Sequence, residues 1–182
     1  MSYRGWILVA VGLFAIGIAL GLAMPDDAVE LFAGDLAALE ELAKILGPFE
    51  FSTAVFIFLK NVSALLFSFI FSPLLCLAPV IALIANGGLL SFVSVIVIEQ
   101  ESVGLLLAGL LPHGIFELPA LIIGEAAALS FGSMAIIALI SKKRRSQLSP
   151  NLKRNLKYLA LAFALLLPAA IIETYITPLL LG

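Results

Sequence analysis

The sequence predicts an all-α fold, a polytopic transmembrane helical bundle of about five spans. Hydrophobic residues make up 63% of the chain and charged residues only 12%, whereas soluble domains are about half apolar and a quarter charged. The mean hydropathy is +1.20, and the apolar residues form continuous runs, not the alternating pattern of a transmembrane β-barrel. Because the polar stretches between these runs are short, we expect a single membrane domain over residues 1–182.

The apolar runs define the spans. The first is expected at residues 5–24, the second at 51–71, the third at 74–98 and the last at 158–181, since each run is close to the ~20 apolar residues that cross a bilayer. Residues 25–48 differ, because their apolar positions recur every three or four residues opposite acidic side chains. This spacing predicts an amphipathic helix outside the membrane.

The charges predict the orientation of these spans. Lys142, Lys143, Arg144 and Arg145 open a basic connector, and cytoplasmic loops carry the excess of Lys and Arg. Alternation of the spans then puts the N-terminus inside and the C-terminus outside, in a multi-pass protein of the cell membrane. The four basic residues act as a topology determinant or as a contact to anionic lipid headgroups. No nucleic-acid partner is expected for so short a loop.

The stretch at residues 103–140 is too long for one simple crossing. As a straight helix it would measure roughly 57 Å, almost twice the ~30 Å hydrocarbon thickness. Pro112, Gly114 and Pro119 interrupt its pattern, so we expect a helix break at Pro112–Gly114, with a re-entrant segment followed by one span. Irregular backbone at this depth must be buried in protein or line a cavity, which predicts that the other spans gather around it.

Six polar residues of the predicted spans are candidates for a polar intramembrane cluster: His113, Glu117, Lys60, Asn61, Asn86 and Glu125. The only histidine precedes Glu117 by four residues, so the two side chains share a helix face. Glu125 follows two turns later, on roughly the same side. Such groups are unfavourable in a bilayer unless they find partners. Glu173, near the end of the last span, has two interpretations, a member of the same cluster or a residue near the outer boundary, and we favour the second.

Several roles remain open for the cluster. The groups can satisfy one another within a bundle, or form an ion, proton or solute site in a small transporter or channel-like protein. An intramembrane metalloprotein or hydrolase is the remaining alternative. One histidine and one glutamate are too few metal ligands, and no GxSxG motif or evident triad accompanies the lone histidine. We therefore expect no bound metal, no cofactor and no catalytic residue.

The run Leu111–Ala120 reads LPHGIFELPA and continues through Ile122, Ile123 and Gly124. Together with Asn61 in the second span and Asn86-Gly87 in the third, it resembles the stage II sporulation protein M family. The resemblance implies an integral membrane protein of about five spans that works as a non-enzymatic scaffold. The family's namesake anchors and localises two secreted-side, peptidoglycan-degrading partners. The implied partners are therefore the lipid bilayer, a second copy of the chain, or membrane or secreted-side proteins.

Overall fold

The computed structural model describes residues 2–24 and 47–181. These two ranges contain helices and no β-strand. The helices are α1 (Tyr3–Leu22), α2 (Phe51–Phe71), α3 (Leu77–Gln100), α4 (Val103–Ile140), α5 (Leu148–Tyr175) and α6 (Thr177–Leu181), with a 3-10 helix (Lys142–Gln147) between α4 and α5. The amphipathic helix predicted at residues 25–48 falls almost entirely outside the described residues.

Among the described helices, α1 to α5 are long and apolar enough to cross a membrane. This confirms the predicted all-α, polytopic bundle. The bounds of α2 coincide with those predicted for the second span, whereas α5 begins at Leu148, well before residue 158. The difference arises because its first turns are polar yet helical, with Asn151 and Asn155 buried. Hydropathy alone does not detect a helix that continues beyond its apolar part.

Helices α1 and α3 pack backbone to backbone. Gly17 lies against the carbonyl group of Ile84, and Gly21 lies against the carbonyl group of Gly88. A Cβ atom at either glycine would overlap backbone atoms of α3, so the two helices approach as closely as small residues permit. Gly87 meets the backbone of α1 in the same way, and its place within α3 causes no break in that helix.

The core of the bundle is α4, which contacts α1, α2, α3, α5 and α6. Its residues Ala126, Ala127 and Ala128 have no exposed surface. Two glycines bring neighbours close: Gly124 lies against the Leu65 side chain, and Gly132 lies against the carbonyl group of Ser72 at the end of α2. The small residues of α4 therefore face other helices, as expected where spanning helices associate without a hydrophobic driving force.

The structure of α4 contradicts the predicted helix break and re-entrant segment. The helix is continuous over 38 residues, with Pro112 and Pro119 inside it. A proline removes one backbone donor and crowds the preceding turn, but packing against neighbouring helices lets spanning helices tolerate it. The excess length lies at the C-terminal end of α4. Gly132 is level with the end of α2, and residues 133–140 continue beyond it for about 12 Å.

These residues, the 3-10 helix and the first turn of α5 form what we call the basic end of the bundle. Leu139 and Ile140 are 74% and 83% exposed there. The helical hairpin of α4 and α5 thus extends past the end of α2, and this extension accounts for part of the difference between the ~57 Å length of α4 and the ~30 Å hydrocarbon thickness.

Candidate functional site

The structure brings together three of the predicted polar residues in the half of the bundle away from the basic end. Asn61 of α2 donates a hydrogen bond from Nδ2 to Oε1 of Glu117 in α4, at 3.2 Å. The other carboxylate oxygen, Oε2, lies 3.8 Å from Nε2 of His113. The i,i+4 spacing on a continuous helix explains why His113 and Glu117 meet. Glu117 thus has one oxygen turned to α2 and the other to the imidazole.

The second ring nitrogen of His113 faces α6. Nδ1 lies 3.4 Å from the hydroxyl oxygen of Thr177, the first residue of that helix. The His113 side chain is 13% exposed, and Thr177 is buried. The ring is therefore held between Glu117 on one side and Thr177 on the other, with its two nitrogens in different surroundings.

Glu173 of α5 joins the same group, contrary to its interpretation as a boundary residue. A ligand atom of Glu173 lies within 4.8 Å of ligand atoms of both His113 and Glu117. Its carboxyl group is also within electrostatic reach of Lys60. We call His113, Glu117 and Glu173, with Asn61 and Thr177 bonded to them, the His–Glu cluster. Lys60 itself is exposed and contributes by charge.

Three of the six predicted residues, Lys60, Asn86 and Glu125, are not among the residues bonded within the His–Glu cluster. Asn86 donates from Nδ2 to the carbonyl oxygen of Ala82 in its own helix, at 2.8 Å. Glu125 is 1% exposed and accepts a hydrogen bond from Ser68 at 2.5 Å. Glu125 lies eight residues beyond Glu117, about 12 Å farther along α4, so it contacts α2 at a different level.

A cavity of about 510 Å³ adjoins the His–Glu cluster. His113, Glu117 and Asn86 contribute polar groups to its wall, and most of the other lining residues are apolar, among them Phe14 and Leu118. An apolar cavity with a few convergent polar groups is the usual form of a small-ligand site. Chemically, one imidazole and two carboxylates can share protons or hold a cation.

The predicted basic residues lie at the other end of the molecule. Lys142, Lys143, Arg144 and Arg145 are all exposed and belong to the 3-10 helix. Arg145 donates from Nε to the carbonyl oxygen of Ala138, at 3.2 Å, which helps to end α4. No described side chain of this group contacts the His–Glu cluster, so the two features are independent.

The comparisons with known proteins agree with this architecture. The family described as stage II sporulation protein M matches residues 10–178, a range that includes the whole His–Glu cluster. An uncharacterised protein of Methanocaldococcus jannaschii is 35% identical over 105 residues, which are 56% of this chain and 58% of that relative. The match thus covers less than two thirds of the relative's length. No solved structure matches the chain significantly.

The family match covers nearly the whole chain, and the five apolar helices fit a multi-pass membrane protein. The protein belongs to the stage II sporulation protein M family.

Proposed function

We propose that the protein is a non-enzymatic membrane scaffold that anchors or localises partner proteins at the cell membrane. The observation that carries the proposal is the use of polar side chains inside the bundle. These side chains form hydrogen bonds between helices. A rigid platform needs such bonds, whereas a bound soluble substrate would compete for the same polar groups. The N-terminus lies inside and the C-terminus outside in this proposal.

Three helix-to-helix polar contacts support a structural use of these groups. The Asn61–Glu117 bond and the Ser68–Glu125 bond both join α2 to α4. A third bond, from Asn155 Nδ2 to the hydroxyl oxygen of Ser130 at 3.2 Å, joins α5 to α4. Hydrogen bonds between spanning helices contribute roughly 0.6 kcal/mol on average and up to about 2 kcal/mol. Contacts spread over the length of α4 therefore hold its neighbours in fixed positions.

Family membership supports the anchoring role, because the resemblance implies partners in the membrane or on its secreted side. A second copy of the chain is the simplest partner. Apolar side chains such as Leu139 and Ile140 extend beyond the neighbouring helices at the basic end, where they are available to another protein or to lipid.

The scaffold is tested by localisation. A partner crosslinked to this protein in living cells is identified, and its position is then followed by fluorescence after the gene for the scaffold is deleted. We expect the partner to lose its membrane position and to regain it when the wild-type chain returns. A partner whose position and amount are unchanged in the deletion strain contradicts the proposal.

A transporter or channel-like protein is the second candidate, because the cavity of about 510 Å³ has His113 and Glu117 in its wall. Ion flux into liposomes containing the purified protein separates the two functions. The scaffold predicts no flux above that of empty liposomes. A flux that Glu117→Gln abolishes, and that Glu99→Gln at the exposed end of α3 leaves intact, would replace the scaffold with a transport function.

A further inference from the structure

We propose that His113, Glu117 and Glu173 form a binding site for a divalent transition-metal cation, with Zn²⁺ as the best match to their chemistry. One imidazole nitrogen and two carboxylate oxygens lie within 4.8 Å of one another. Zinc binds such atoms at about 2.0–2.2 Å, which places the ligand atoms of one ion roughly 3–4 Å apart. The observed group is somewhat wider than that spacing, so binding would draw the three side chains together around the ion. This site goes beyond the scaffold, which requires no metal.

The charges of the His–Glu cluster favour a cation. Glu117 and Glu173 place two carboxylates side by side within an apolar bundle, where like charges repel strongly. Lys60 is the nearby base, and as a single exposed ammonium group it offsets only one of the two negative charges. A divalent cation bound to both carboxylates and to a neutral imidazole leaves a site with no net charge, which is the least unfavourable state for such groups within a membrane protein.

The hydrogen bonds around the cluster leave the required atoms free. Thr177 faces Nδ1 of His113, so Nε2 remains on the carboxylate side. Asn61 donates to Oε1 of Glu117, so Oε2 remains on the imidazole side, 3.8 Å from Nε2. Metal-bound histidines and carboxylates usually have such a partner on the atom that does not bind the metal. Two of the three proposed ligands, His113 and Glu117, therefore have the outer contacts expected of a metal site.

The cavity beside the cluster provides room for the remaining coordination position. His113 and Glu117 both lie in its wall, so one side of the site faces open space. Zinc sites with three protein ligands keep their fourth position for water or another small ligand. Once bound, the cation would link α4 to α5 near the end of the bundle opposite the basic connector.

Zinc binding to the purified chain tests the site. The protein is stripped with a chelator, exposed to micromolar Zn²⁺ and desalted, and its metal content and thermal stability are measured. We expect about one zinc per chain and a higher unfolding temperature with metal, since a ligand that binds the folded state stabilises it. Glu173→Gln should weaken binding by about tenfold or more, the scale seen even when outer contacts of a metal site are removed. Glu99→Gln is the control and should bind as the wild type does.

X-ray absorption of the zinc-loaded wild type keeps the test independent of how well the variants fold. The expected first shell is one imidazole nitrogen with oxygens and no sulfur. Substoichiometric zinc in the wild type, a sulfur-containing shell, or unchanged binding by a well-folded Glu173→Gln variant overturns the site. The localisation and flux experiments involve no added zinc, so failure of the metal site leaves the scaffold proposal unaffected.

Discussion

Glu125 is the most deeply buried carboxyl group among the described residues, at 1% exposure, and Ser68 beside it is 2% exposed. The serine hydroxyl donates to Oε2 of Glu125. Because a buried polar group without a partner is far more unfavourable than one that is bonded, this single bond matters to both helices. We therefore expect it to contribute to the stability of the α2–α4 contact.

We expect Ser68→Ala to lower the free energy of unfolding by roughly 1–2 kcal/mol, the upper part of the range for hydrogen bonds between spanning helices, because the buried acceptor loses its donor. The measurement is denaturant or thermal unfolding of the protein in detergent micelles. Ser63→Ala is the matched control, because Ser63 is exposed on the same helix, and a change within about 0.5 kcal/mol is expected there. Equal stability of the two variants would show that the bond contributes nothing.

At this scale the sequence predicted three members of the His–Glu cluster, His113, Glu117 and Asn61, and did not include Glu173 or Thr177. The pairing of His113 with Glu117 follows from helix periodicity alone. Glu173 belongs to another helix, and its position depends on how α4 and α5 align. A usable signal existed: an antiparallel hairpin that turns at the basic connector brings Glu117 level with the last turns of the final span. The rotational setting of α5, which decides whether Glu173 points inward, depends on packing and has no such signal.

At the scale of elements, α4 shows that the rule that proline and glycine end a helix, which holds for soluble proteins, fails inside this bundle. The segment from Pro112 to Gly114 reads as a break, yet α4 remains helical through it and through Pro119. Ala120, one residue after Pro119, is fully buried in the core of the bundle, so tertiary packing outweighs the local preference. The number of apolar helices was predictable from hydropathy. The extension of one hairpin past the rest was not, because its outer turns on α4 are as apolar as the span itself.

The glycine contact between α1 and α3 provides a test at the same scale. We expect Gly17→Ala to lower the free energy of unfolding by roughly 1–3 kcal/mol, the usual effect of overpacking, because the new Cβ would overlap the backbone at Ile84. Thermal unfolding in micelles measures it. Gly12→Ala on the same helix is the control, since no atom lies within 4 Å of a Cβ built there, and it should be neutral or slightly stabilising given the helix preference of alanine. If both variants unfold at the same temperature, the close approach of α1 and α3 does not contribute to stability.

At the scale of the whole molecule, the chain has two chemically different ends. The basic end carries Lys142 to Arg145 on the extended hairpin. At the opposite end, Phe49 donates its backbone N–H to the carbonyl oxygen of Thr174, at 3.2 Å, which fastens the start of α2 beside Glu173. The His–Glu cluster therefore lies in the half of the bundle away from the basic connector. The distribution of Lys and Arg predicts which half of the bundle faces the cell exterior.

Cysteine labelling of intact cells tests that orientation. In a background in which the single native cysteine is replaced, Cys76→Ser, we expect Gln147→Cys in the exposed 3-10 helix to react with an impermeant maleimide only after the cells are permeabilised. Glu101→Cys, between α3 and α4 at the other end, should react in intact cells. Labelling in the reverse order would contradict the positive-inside assignment. Because Glu101 shares its end of the bundle with the His–Glu cluster, its labelling from outside would also put that cluster in the outer half of the membrane, where a cation would enter from the extracellular side.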